Sequence, residues 1–147
     1  MHIWDTAGQE KYQSLTSRFF KDAQAIIFAF SVDDDKSFHN LDSWLDKVEN
    51  ETQESNYVKV IVGNKCDKET KSISYQKASS YAKDNKAIYY ETSAKDGTNI
   101  TEVFQTIANK LFTMQQTGGF NKKAEDNKKI KKSKKGKGKH HKKKGCC

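Results

Sequence analysis

VKVIVGNKCD, residues 58 to 67, joins a continuous apolar run to a cluster of polar side chains. The run VKVIVG at 58–63 has the character of a strand buried on both faces of a parallel sheet, and the polar cluster begins where such a strand would end. QAIIFAFSV at 24–32 reads the same way and is stopped by three aspartates. A third run, AIYYE at 87–91, is shorter and aromatic, and it leads directly into ETSAK at 91–95.

Between these runs the apolar spacing changes to that of helices. Phe38, Leu41, Leu45 and Val48 fall on one face, with Ser37 as a cap. Ser74 starts the next helix, with Ala78, Tyr81 and Ala82 inward. Ile100, Val103, Phe104, Ile107, Ala108 and Leu111 form a stripe after the third strand. Strand and helix alternating with short connections predict an α/β domain, a mostly parallel sheet covered on both faces. In such sheets ligands sit outside the carboxyl ends of the strands, where every polar cluster of interest here falls.

The chain has 147 residues, enough for one globular core, and a net charge of +8. The charge is unevenly placed: residues 1–117 carry 14 Lys/Arg against 17 Asp/Glu, whereas residues 118–147 carry 13 Lys against two acids. Apolar periodicity stops at the same point. A lysine-rich stretch with so few apolar residues has nothing to bury against the cost of ordering the chain. The expected organisation is therefore a folded part over 1–116 and a disordered polybasic tail over 117–147. Three cysteines, Cys66, Cys146 and Cys147, imply no disulfide framework and fit a reducing compartment. The longest apolar run, AIIFAF at 25–30, is far too short to cross a bilayer, and the N-terminus shows no signal-peptide pattern.

The chemistry lies in the clusters that follow the strands. In NKCD, at 64–67, the Asp67 carboxylate suits the ring imino and exocyclic amino groups of guanine, donors that adenine does not present in that arrangement. Asn64 offers an amide to the base and to neighbouring loops, and the stem of Lys65 can lie across the base face. In ETSAK, a backbone amide near Ala94 can meet the guanine oxygen and Lys95 can cover the ring. Each cluster alone also reads as a plain polar turn, the second as a helix-entry loop capped by Asn99. Their order, their places after successive strands, and DTAGQ at 5–9 ahead of them make the set specific.

WDTAGQEKYQSL, NKCD, ETSAK and the terminal Cys-Cys together resemble the Rab branch of the Ras-like small GTPases, over residues 1 to about 114 and the last two residues. The resemblance implies a fold of the P-loop NTPase type, GTP or GDP with Mg2+ as ligands, and a role as a switch in vesicle traffic. It implies that Asp5 reaches the magnesium through water, that Gly8 offers its amide to the terminal phosphate, and that Gln9 orients the attacking water. Asn64, Lys65, Asp67, Ser93, Ala94 and Lys95 would hold the base. Glu10 to Lys21 would be the nucleotide-sensing switch, with Trp4 and Tyr12 near an effector surface and Phe38 in the core. Effectors, exchange and activating factors and prenylation escort proteins are the partners implied.

No GxxxxGK(S/T) phosphate loop occurs in the sequence. Gly136 and Gly138, which precede lysines, lie in the tail with no strand ahead of them. The threonine-bearing first switch and the family's first strand and first helix are missing as well. The expectation is that the native protein extends upstream of Met1, that these 147 residues are inactive on their own, and that AIIFAF presents an open edge without the first strand, which in the family pairs with the strands beginning here near His2 and Gln24.

Cys146 and Cys147 match a double geranylgeranylation site, and two lipid chains anchor stably where one is marginal. The lysines between 122 and 144 would add roughly 1 kcal/mol each beside anionic headgroups, placing the protein on the cytosolic face of endomembranes. Rival readings are a prenylated interaction protein without nucleotide turnover and a basic nucleic-acid-binding module, the latter disfavoured because the tail has no base-stacking platform. His140 and His141 are a weak candidate metal pair.

Overall fold

The computed structural model describes residues 1–6, 20, 22–52 and 57–118. Contacts divide the chain into two units, Met1–Thr113 and Met114–Cys147. The described elements are β1 (Ala25–Ser31), α1 (Asp35–Glu51), β2 (Val58–Asn64), α2 (Tyr75–Asp84), β3 (Ile88–Glu91) and α3 (Ile100–Gln116). The three strands form one parallel sheet in the order β1-β2-β3, as the three apolar runs predict.

The register explains how the sheet is covered. Phe28 pairs with Ile61 and Ile61 with Tyr89, so these side chains share a face. On that face they join Phe30, Phe38, Leu41, Leu45, Val48, Ala78 and Ala82 in the main core, beneath α1 and α2. Phe30 meets Phe38 edge to face at 5.0 Å, and Phe38 in turn lies 5.0 Å from Tyr81 of α2. Phe38 is thus a core residue, as read from the sequence. On the opposite face Val60 and Val62 are buried, and α3 is tied to β3 by a 2.8 Å hydrogen bond between the Tyr90 and Thr106 hydroxyls.

Two expectations about the strands are corrected. β1 is buried on one face only: Ile27 is 39% exposed and Ala29 is also exposed. α3 is fastened at the β3 side of that face and leaves the β1 side accessible. β2 has no such gap because it lies between the other two strands. Met1–Thr6 contain no strand, and Met1, Ile3 and Trp4 are exposed, although a strand was expected near His2. An extended segment gains ladder hydrogen bonds only beside a partner, and no described strand lies beside these residues. Among the described residues no strand pairs with the outer edge of β1.

The helix boundaries follow local chemistry. Asp34, not Ser37, caps α1: its carboxylate accepts from Lys36 N (3.0 Å) and Ser37 N (3.2 Å). An acid at that position satisfies free backbone donors and complements the positive end of the helix dipole. Ser37 instead accepts from Ser31 N (2.9 Å), tying the helix to the end of β1. Ser74 caps α2 as expected, accepting from Lys77 N at 3.2 Å. That helix ends with Lys86 at φ 55 and a 2.8 Å bond from Ala87 N to Ala82 O, the wrapped-back ending that satisfies otherwise orphaned carbonyls. Asn99 does not cap α3 through its side chain. Its amide donates to Glu91 O at 2.7 Å, leaving the backbone at φ 56. Along α3 Val103 and Ile107 are buried, whereas Ala108, expected inward, is exposed.

One close approach constrains the sheet. A side chain at Gly63 would place its Cβ 2.7 Å from Tyr89 Oη and 3.0 Å from both Phe30 Cζ and Val32 Cγ1. The phenol belongs to a buried group with no hydrogen-bond partner among the described residues. Gly63→Ala should therefore destabilise the fold by about 1–3 kcal/mol. Tyr89→Phe, which removes an unsatisfied buried hydroxyl, should cost little and should soften the Gly63→Ala penalty. Thermal denaturation of the two single variants and the double variant reads both effects; additive losses would contradict the contact.

Candidate functional site

The carboxyl ends of the three strands are held level by backbone bonds that continue the ladder past each strand. Val32 N donates to Asn64 O (3.0 Å) and Thr92 N to Gly63 O (2.9 Å). One step further, Cys66 N donates to Thr92 O (2.9 Å), joining the NKCD turn to the ETSAK turn. Ser72 N and Ile73 N both donate to Val32 O, bringing the segment after NKCD back over the end of β1.

Side chains lock the two turns together. Asn64 Oδ1 accepts the backbone amide of Ala94 at 3.2 Å and the Thr92 hydroxyl at 3.4 Å. The Ser93 hydroxyl donates to Asp67 Oδ1 at 2.7 Å, while its oxygen accepts Lys95 N (3.2 Å) and Asp96 N (3.3 Å). Thr92 and Ser93 are buried, so these bonds are shielded from competing water. The Asp67 side chain is 15% exposed and Lys95 Nζ lies 3.9 Å from its other oxygen. Lys65 takes the left-handed conformation at φ 64, and Lys68 N closes the turn on Lys65 O at 3.0 Å.

An open cavity of about 590 Å3 lies at this end of the sheet, with Asp33, Asp67, Lys68, Ser72 and Lys95 among its lining residues. Thr98 hydrogen bonds hold the Asp96 carboxyl below the usual carboxylate range. Burial pushes the Cys66 thiol up, so at neutral pH it is a protonated thiol beside the turn. Burial, followed by the nearby Glu91 carboxylate, pushes the Tyr89 phenol up as well. Glu91 itself pairs with Lys71 at 2.7 Å, binding the segment before α2 to the end of β3.

The site residues named from the sequence thus fall into two groups. Asn64, Lys65, Asp67, Ser93, Ala94 and Lys95 come together on adjoining turns. There a carboxylate is fixed by Ser93, an asparagine links the loops and two lysines stand at the rim. Asp5 is exposed, and Trp4 is 70% exposed. Gly8, Gln9, Tyr12, the 122–144 lysines, His140, His141, Cys146 and Cys147 lie outside the described residues. Among the described residues no three His, Cys, Asp or Glu side chains gather as a metal site. Sequence reading passed over Asp33, treating it as the end of a strand. Its place at the carboxyl end of the strand beside β2 was the available signal.

The sheet order, the loops at its carboxyl ends and the paired Asn-Asp and Thr-Ser turns are those of a partial small-GTPase domain. The chain belongs to the Ras family, whose family model matches residues 1–113. It is 39% identical over 112 residues to the Ras-related protein RIC1 of Oryza sativa subsp. japonica, covering 76% of this chain and 55% of the relative. It is 38% identical over 112 residues to the GTP-binding protein YPT1 of Saccharomyces cerevisiae, covering 76% of this chain and 54% of the relative. With the Ras-related protein Rab-13 of Rattus norvegicus the identity is 32% over 120 residues, 81% of this chain and 58% of the relative. These relatives make it a Rab-type member. The chain spans about half the length of the curated relatives it matches.

Ser93→Ala removes the bond to Asp67 and the acceptor for two loop amides. The expected loss is about 1.5–3 kcal/mol, the range for a hydrogen bond to a charged group. Exchange of the Lys95 and Asp96 amides should accelerate at least about tenfold. Unchanged exchange at both amides would show that Ser93 does not hold this loop.

Proposed function

We propose that this chain is the base-reading part of a GTP-binding and GTP-hydrolysing switch that works in vesicle traffic on the cytosolic face of endomembranes. The observation that carries the reading is the joining of the two turns: Ser93 fixes Asp67, and Asn64 holds the amide of Ala94. Preorganisation of this kind matters because a carboxylate already held in place loses less freedom when it meets a base. Asp67 accepts from the guanine imino and amino groups, Ala94 N approaches the guanine oxygen, and the stems of Lys65 and Lys95 cover the ring. Adenine lacks the donors from which Asp67 would accept, so the carboxylate gains no bond from that base.

GTP and Mg2+ supply the phosphoryl group to be transferred and the charge that stabilises it. On the side of this chain, Asp5 would help to hold the ion, Gly8 would donate to the terminal phosphate and Gln9 would orient the attacking water. The segment from Glu10 to Lys21, with Trp4 and Tyr12, faces effectors and exchange and activating factors. Cys146 and Cys147 carry geranylgeranyl groups delivered by escort proteins, and the 122–144 lysines meet anionic lipid. Among the described residues no helix is long and apolar enough to cross a membrane, and lipidation supplies the anchor.

The test uses the protein isolated from its own cells, in competition between GTP and ATP and with Asp67→Ala alongside. The expected result is a strong preference for GTP that falls at least about a hundredfold in the variant. Equal binding of the two nucleotides by the parent protein would overturn the reading. In the same cells Cys146→Ser with Cys147→Ser should release the protein from membranes; retention would remove the lipid anchor from the account.

A further inference from the structure

We propose that Asp33 is the positioning residue for Lys65, holding the ammonium group so that the lysine stem lies over the base-reading turn. The proposal rests on the reading of NKCD and ETSAK as a guanine site, and it adds to that site a residue from a different strand end.

The geometry begins with the ladder. Because Ser31 pairs with Asn64 and Val32 N continues to Asn64 O, the chain leaving β1 runs beside the chain leaving β2. Asp33 therefore emerges next to Lys65. Its carboxylate reaches two lysines, one through each oxygen: Lys65 Nζ is 3.6 Å from Oδ1 and Lys68 Nζ is 4.0 Å from Oδ2.

Asp33 is itself held at both ends. The Ser31 hydroxyl donates to its side chain, and its backbone oxygen accepts from Ser72 Oγ at 3.2 Å. The Ser31 bond is the main reason the Asp33 carboxyl sits below the usual carboxylate range, with Lys65 and Lys68 adding to it. The side chain is 28% exposed, compared with 51% for Lys65 and 54% for Lys68. A fixed carboxylate thus faces two more exposed cations.

Lys65 needs such a partner. Its backbone is set by the turn, at φ 64, between Asn64 and Cys66, both of which are bonded to the neighbouring loop. Nothing in those bonds fixes its four-carbon stem, whose rotamer freedom is among the largest of any side chain. A stem that must cover a flat ring is placed by whatever holds its far end, and Asp33 lies at that end. Ion pairs at this exposure contribute little to folding, so the effect belongs to ligand binding rather than to stability.

The test uses the full chain with labelled lysine side chains, GDP as the probe, and a double-mutant cycle. Asp33→Ala should leave the melting temperature within about 2 °C of the parent. It should shift and narrow the Lys65 Cε and Nζ signals as the group becomes mobile, and should weaken GDP about threefold to fivefold. Asp33→Glu should restore part of both. In a Lys65→Ala background Asp33→Ala should add nothing further.

A loss that persists in that background, or that vanishes in a Lys68→Ala background, overturns the assignment. Lys65 signals that ignore Asp33→Ala overturn it as well. If the parent chain binds no GDP, the guanine reading fails, and the Lys65 signals still decide whether Asp33 holds that lysine.

Discussion

Backbone bonds from Val32 N to Asn64 O, from Thr92 N to Gly63 O and from Cys66 N to Thr92 O extend the parallel ladder past the ends of its strands. The site depends on that extension. A parallel sheet ends at a rim where backbone donors and acceptors run out, and the chain must leave in loops. Here the loops go on bonding to each other for several residues. The turns after β2 and β3 are therefore one structure, not two, and Asn64 and Ser93 can work across the gap between them.

The same constraint explains the packing beneath. Near the rim β2 is crowded at Gly63, where an added Cβ would lie 2.7 Å from Tyr89 Oη. The aromatic β3 supplies that phenol and, through Tyr90, the anchor for α3. Sheet, helix and loop are therefore set by a few residues near the carboxyl end of the central strand. The face of β1 turned away from the main core has no such cover among the described residues, and Ile27 and Ala29 lie open there.

Much of this was legible beforehand, and the misses have physical causes. Strand positions followed from unbroken apolar runs, and the inward faces of α1 and α2 from their spacing, because burial leaves a direct mark on composition. The cap of α1 was misplaced because three consecutive aspartates and a nearby serine all suit that role, and only the path of the chain out of β1 selects Asp34. The exposed side of β1 was misread because an apolar run does not say whether a covering element is present. NKCD and ETSAK were visible as motifs, whereas the bonds between them join residues about thirty positions apart (Ala94 N to Asn64 Oδ1) and arise only once the sheet exists. Asp33 belongs to that second kind.

The central claim is that the joined turns read a guanine base. The most direct measurement is the change in backbone amide signals of the labelled chain on adding guanosine or adenosine, which carry the base without phosphates. The account predicts shifts at residues 64–68 and 92–95 with guanosine and none there with adenosine. Equal responses to the two nucleosides, or guanosine shifts confined to other parts of the chain, would contradict it.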